Sequence, residues 1–155
     1  MIVVVQRVKQ ASVTVDGKII GQIGVGMLAL AAVHASDSPG DVDWMARKLL
    51  SLRMFASGER AYELDITEIA GEILLVSNFT VAAETQKGRR PSLSLAADPQ
   101  KGRRLFDELL AAVSASSVRV ATGKFQADMA VSLINDGPVT FLLNSQRKIT
   151  EQQNV

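Results

Sequence analysis

The run Met27–Val33 is apolar at every position, and it constrains the fold more than any other stretch of the chain. A strand with one face in water alternates polar and apolar residues. An unbroken apolar run suits a strand covered on both faces. Before it, residues 2–8 and 11–15 are rich in valine and read as strand, with Val13 and Val15 alternating with Thr14. Asp16-Gly17 is a hairpin signal that leads into Ile19-Ile20. After it, Ser38-Pro39-Gly40-Asp41 reads as a helix start: serine can cap, proline fits the first turn, and Asp41 suits the positive helix end. Val42, Met45, Leu49 and Leu52 follow at helical spacing, so an amphipathic helix is predicted from about 39 to 53.

Residues 57–71 are mixed and read as loop-rich, and Glu72–Ser77 returns to strand. Residues 84–98 hold glycine, proline and basic residues and read as a long exposed loop, a common carrier of function. Asp98-Pro99 repeats the cap-plus-proline signal and opens a helix to about Ser114, with Leu105, Leu109, Ala112 and Val113 inward. Val118–Ala121, Met129–Ile134 and Val139–Leu143 are predicted as the last strands. The order is two strands, then strand–helix twice, then strands. We read it as an α/β fold of mixed β-sheets with two main helices packed on one side, β2-(βα)2-β3 in order and β/β/α in layers. Residues 1–144 make one domain, and 145–155 are expected to be a polar, disordered tail.

The chemistry is bounded by what is missing. The chain has no cysteine and one histidine, which excludes disulfides, thiolate nucleophiles, Cys-ligated zinc and a His-rich metal site. A serine–histidine–acid triad would need His34, which reads as an exposed or half-buried residue at a strand end. The acids Asp41, Asp43, Glu63, Asp65 and Glu68 are scattered, and no glycine-rich phosphate loop is present. No metal or cofactor is expected. No apolar stretch reaches the roughly 18 residues that span a bilayer, and Met1–Val5 lacks the positive region of a signal peptide. A cytoplasmic place with no membrane partner is the expectation. Net charge is +1, yet Lys87, Arg89, Arg90, Lys101, Arg103 and Arg104 crowd one stretch. That patch reads equally as a phosphate-binding surface and as a solvated loop with a helix start.

Two short polar motifs remain. Ser77-Asn78-Phe79-Thr80 ends the apolar run Ile73–Val76, a place where binding groups gather. A polar strand end with hydroxyls turned to backbone partners accounts for it too. Asn135-Asp136-Gly137-Pro138-Val139-Thr140 lies between Ala130–Ile134 and Phe141–Leu143, and its first four residues are ordinary hairpin-turn composition.

At these residues the chain resembles the D-aminoacyl-tRNA deacylase (D-tyrosyl-tRNA deacylase) family, which carries Ser-Gln-x-Thr and Asn-x-Gly-Pro-x-Thr in the same order. The resemblance covers about residues 1–144. It includes Gln6-Arg7-Val8, Ala11-Ser12-Val13, Arg90-Pro91-Ser92, Gly123-Lys124-Phe125 and Ala127-Asp128-Met129. It implies a homodimeric hydrolase that cleaves the ester between a D-amino acid and the terminal adenosine of tRNA, releasing both. Glycyl-tRNA mischarged on tRNA(Ala) is an implied second substrate. The Gly137–Pro138 bond would be cis and reach into the neighbouring subunit's site, where its carbonyls hold the substrate amino group and leave no room for an L side chain. Arg7 would help to fix that motif. Ser77, Asn78, Asn135, Thr140 and Met129 are the other implied substrate-binding residues. Backbone N–H groups near Phe79 would face the ester carbonyl, and Thr80 stands beside them as the second catalytic candidate. Lys87, Arg89 and Arg90 are expected to meet tRNA.

This fits the missing side chains. An activated ester needs an oriented carbonyl, donors for the oxyanion and a positioned water. The family points to the 2′-hydroxyl of the terminal ribose as a participant, so no side-chain base is required. Thr80 as a covalent nucleophile is the alternative, with no base in view to activate it. Two residues depart from the pattern. Asn78 replaces the family's glutamine and is one methylene shorter, which would weaken a side-chain contact and spare a backbone role. Gln126 stands where a small residue is expected and alters the pocket wall. Two other functions compete: a non-catalytic tRNA-binding module built on the basic 87–104 region, and a different acyl-ester hydrolase for L-aminoacyl or peptidyl substrates. No DNA partner is expected.

Overall fold

The computed structural model describes residues 1–146. In chain order these residues form β1 (Ile2–Val15), β2 (Lys18–Ile23), β3 (Gly26–Ala32), α1 (Pro39–Ser51), β4 (Phe55–Ser57), β5 (Arg60–Leu64) and β6 (Glu72–Ser77). A 3₁₀ turn (Phe79–Ala82), α2 (Pro99–Ser114), β7 (Arg119–Thr122) and β8 (Ala130–Asn144) complete them. No helix among the described residues is long and apolar enough to cross a membrane.

β1 is the spine of a six-stranded mixed sheet. β8 runs antiparallel along one edge of it. On the other edge, β3 pairs with residues 2–8 and β2 with residues 11–15. β3 continues to β6 and β6 to β7, both parallel, through connections that carry α1 and α2. The β1–β2 turn is Asp16-Gly17, as predicted, with φ of 50° and 75° at the two residues, the type I′ pattern. The sheet curls until its ends meet. The Arg119 guanidinium on β7 donates to the Gln22 carbonyl on β2 at 3.3 Å. Gly21 sits so close to β7 that a Cβ there would lie 2.5 Å from the Thr122 carbonyl oxygen.

The curl creates two cores. Met27, Ala29 and Ala31 of β3, with Ile73 and Leu75 of β6, face Met45 and Leu49 of α1 and Leu105 and Leu109 of α2. Leu28, Leu74 and Val76 face the opposite way, against Val8, Val13 and Ile23 inside the curl. Alternate strand residues point to opposite faces, so β3 can carry no polar side chain on either. The layers are therefore sheet, sheet and helices, the predicted β/β/α arrangement. Both helix starts are capped as read. The Ser38 N–H and hydroxyl donate to Asp41 Oδ2 at 2.9 and 2.8 Å, and Asp98 Oδ1 accepts from the Gln100 and Lys101 N–H groups at 3.0 Å.

Two strand readings need correction. Residues 2–8 and 11–15 are one strand. The stretch 57–71 is mostly turn and loop, as read, with β5 and the end of β4 forming a hairpin in its first half. The loop 84–98 is tied down by Glu84–Ser92 and His34–Ala96 pairing. Most important, Met129–Ile134 and Val139–Leu143 are one strand, β8. Asn135–Pro138 does not reverse the chain. Val8 pairs with Asn135 and Gln6 with Thr140, so five steps along β8 span two along β1 and the extra residues loop out as a wide bulge. The polar tail expected from Ser145 also starts inside the fold. Ser145 is buried, its hydroxyl accepts from the Met1 amino group at 2.6 Å, and Asp37 accepts from that amino group and from Gln146 Nε2. The rest of that tail, 147–155, lies outside the described residues.

Candidate active site

Beyond the ends of β3 and β6 lies a cavity of about 530 Å3. One wall is the inner sheet face, with Leu30, Val76, Met129 and Val131. The other is the start of α2, with Gly102 and Phe106, joined by Phe125–Ala127. Ser77, Asn78 and Phe79 lie in this wall. Their placement follows from the sheet. The Asn78 N–H donates to the Ala31 carbonyl at 2.8 Å, extending the β3–β6 pairing by one residue before the chain turns. The 3₁₀ turn then begins, and its first N–H groups, at Phe79 and Thr80, have no carbonyl partner within the turn. The Thr80 hydroxyl donates to Asn78 Oδ1 at 2.6 Å, which braces the turn. Phe79 is 60% exposed.

The second motif is built differently. The bulge in β8 is braced by Asn135, whose Oδ1 accepts from the Val139 N–H at 2.7 Å. Its Nδ2 donates to the Val139 carbonyl and to Thr140 Oγ1, both at 3.2 Å. Arg7 donates through Nε to the Asp136 carbonyl and through Nη1 to the Met54 carbonyl, each at 2.8 Å. Gly137–Pro138 is a cis bond at the exposed tip, with Gly137 at φ 152°.

Of the predicted site residues, the cavity wall takes in Ser77, Asn78, Phe79 and Met129. Thr80 is exposed, outside that wall, and bonded to Asn78. Arg7, Asn135, Gly137, Pro138 and Thr140 form a separate group. Ser77 pairs through Ala31 to Val3, whereas the bulge lies level with Gln6–Val8. None of this second group lines the cavity that holds Ser77–Phe79. One chain does not bring them together.

Lys87, Arg89 and Arg90 are exposed, and none pairs with an acid among the described residues. The rest of the basic stretch is committed elsewhere. Lys101 Nζ donates to the Ala35 carbonyl at 2.6 Å, Arg103 lies 4.8 Å over the Phe125 ring, and Arg104 pairs with Glu108 at 2.9 Å. His34 is outside the wall and bonds Ser36 Oγ at 2.8 Å. Among the described residues no His, Asp and Glu gather into a group that could hold a metal ion. Sequence reasoning missed the α2 face of the cavity. Asp98-Pro99 marked a helix start, but nothing local said what Gly102 and Phe106 would face.

Residues 4–144 match the model of the family described as D-Tyr-tRNA(Tyr) deacylase. The chain belongs to this family. Among similar curated proteins of that kind, the D-aminoacyl-tRNA deacylase of Geobacter sp. (strain M21) is 47% identical over 94% of this chain and 97% of its own length. The D-aminoacyl-tRNA deacylase of Methylococcus capsulatus (strain ATCC 33009 / NCIMB 11132 / Bath) is 54% identical over 92% and 94%. Among solved structures, the c-Myc DNA Unwinding Element Binding Protein is 35% identical with a TM-score of 0.88, covering 93% of this chain and 98% of that one. A probable eukaryotic D-amino acid tRNA deacylase, 16% identical, shares the fold with a TM-score of 0.79 over 92% of this chain and 97% of its own.

Proposed function

We propose that this chain is an ester hydrolase that cleaves D-aminoacyl-tRNA in the cytoplasm, as a homodimer and without a cofactor. It releases free D-amino acid and reusable tRNA. The observation that carries this reading is Ser77–Phe79 in the wall of the cavity, in a chain matched from 4 to 144 to the deacylase family. Water adds to the acyl carbon, the oxyanion is met by the unpartnered N–H groups at Phe79 and Thr80, and the ester C–O bond breaks as the ribose oxygen takes a proton. The Thr80 hydroxyl, already donated to Asn78, positions the turn and is not the nucleophile. Asn78 does through this bond what matters here, so losing a methylene relative to glutamine leaves the backbone role intact.

Chirality is decided by a second copy. Gly137–Pro138 is exposed, braced by Arg7 and Asn135, and outside the wall of its own cavity. In a dimer the tip enters the partner's cavity, takes the substrate amino group on its carbonyls and leaves no space for an L side chain. Glycyl-tRNA mischarged on tRNA(Ala) then passes as a second substrate, because glycine has no side chain to exclude.

The test is amino-acid release from D-tyrosyl-tRNA and L-tyrosyl-tRNA side by side. Cleavage of the D form alone is expected; efficient cleavage of the L form sinks the chiral filter. A second reading, nucleic-acid binding without ester cleavage, is favoured by the exposed cations Lys87, Arg89 and Arg90 and by the similarity to a protein named as a DNA unwinding element binding protein. Cleavage of neither ester with tRNA still bound selects it. In both readings, replacing the three cations together weakens tRNA binding and flattens its salt dependence; an unchanged slope removes them from the interface.

A further inference from the structure

Gln126 is held in a backbone conformation that its side chain disfavours. Lys124–Ala127 form a turn closed by the Ala127 N–H on the Lys124 carbonyl at 3.1 Å. Positive φ falls on the third residue alone, Gln126, at 63°. This is the type II arrangement, which glycine enters freely and asparagine tolerates. A longer side chain crowds the next carbonyl there. Nothing local compensates, since the Gln126 amide makes no hydrogen bond among the described residues. Strain of this kind persists where a side chain has a task.

The residue stands in the cavity wall and is exposed, which puts it at the mouth. Its neighbour Phe125, in the same wall, carries the Arg103 guanidinium 4.8 Å over its ring. A neutral amide and a cation therefore sit on one side of the opening. The Asp98 carboxylate, also in the wall, is occupied in capping α2.

We infer that Gln126 is a binding residue for the nucleotide end of the tRNA, and not for the amino acid. The inference rests on the deacylase reading for its substrate. The acyl group has to lie beside Ser77–Phe79, and the polynucleotide has to leave through the mouth. A base edge presents donors and acceptors together, and an amide offers one of each. The adjacent Arg103 suits the phosphate that follows.

Three variants test it. Gln126→Gly removes the amide and relaxes the turn, Gln126→Ala removes the amide and keeps the strain, and Gln126→Asn keeps an amide. The readouts are Kd for uncharged tRNA, Tm, and kcat/KM on one tRNA charged with D-tyrosine or D-alanine. Kd should rise about three- to tenfold in the Gly and Ala variants alike. The fall in kcat/KM should match it for both amino acids, the Asn variant should lose less, and Tm should rise by about 2 °C in the Gly variant, by less in the Asn variant and not in the Ala variant. Unequal losses for the two amino acids would move the contact to the acyl side chain and overturn the inference. So would unchanged Kd and kcat/KM. If the wild-type chain binds tRNA but cleaves neither ester, the deacylase reading fails, and the Kd comparison still decides Gln126.

Discussion

Asn135→Ala tests the link from the β8 bulge to the site. Val139 is 6% exposed, and its N–H has one partner, Asn135 Oδ1 at 2.7 Å. The Asn135 side chain stands in for the β1 backbone, which the looped-out residues cannot reach. Truncation removes this bond and the two that Nδ2 donates, to the Val139 carbonyl and to the exposed Thr140 hydroxyl. Thr140 can turn to water, and Gln6 Nε2 already reaches its Oγ1 at 3.3 Å. The buried Val139 N–H cannot. Leaving it unpaired costs about 1–3 kcal/mol. For a chain of this size each kcal/mol moves Tm by about 2–4 °C, so a fall of about 2–12 °C is expected by calorimetry. At 25 °C the variant remains folded, so any loss of activity there reports the position of the Gly137–Pro138 tip. A displacement of about 1 Å can cost on the order of 100-fold in kcat/KM. Wild-type Tm would refute the energetic argument. A lowered Tm with unchanged kcat/KM on D-tyrosyl-tRNA would refute the role of the tip.

Thr80→Ala should keep kcat within about tenfold of wild type, because the hydroxyl only braces the turn through Asn78; complete loss in a single-turnover assay would restore it as a nucleophile. Gly21→Ala should lower Tm by about 2–10 °C, because the new Cβ meets the Thr122 carbonyl at 2.5 Å and β2 must part from β7. A variant that melts with the wild type would mean that the curl is not closed there. The Gly24 N–H at 2.7 Å, helped by Arg119 at 2.8 Å, holds the Glu72 carboxyl below its ordinary value of 4.5. Its folded pKa is depressed, so its stabilisation is whole above 4.5 and is lost as pH falls through the folded value. The Tm gap between wild type and Glu72→Gln should therefore be constant at neutral pH and narrow on acidification. A gap unchanged at about pH 3 would contradict this.

The helices and the first hairpin were legible because their signals are local. Ser38 with Asp41, Asp98 with Pro99, and Asp16-Gly17 each specify a cap or a turn through bonds within a few residues. Met27–Val33 announced burial on both faces by its composition, and the two cores meet it there. The bulge was not legible. Asn-Asp-Gly-Pro composition suits a reversal and a loop-out equally, and the choice was made by β1, whose whole length offers a pairing edge on which β8 continues past the motif. The hairpin over 55–64 was likewise hidden, because Ala56, Ser57 and Arg60–Glu63 lack an apolar alternation.

The sequence by itself determined which motifs this protein carries, how its helices begin, and that no side-chain base from cysteine or a histidine cluster is at hand. Only the tertiary structure decided which motif lines the cavity. Register carries Ser77 to the Ala31 end of the sheet and leaves Gly137 near the Arg7 end, while α2 closes the opposite wall. Those distances depend on pairing between residues far apart in the chain, and local sequence does not encode them.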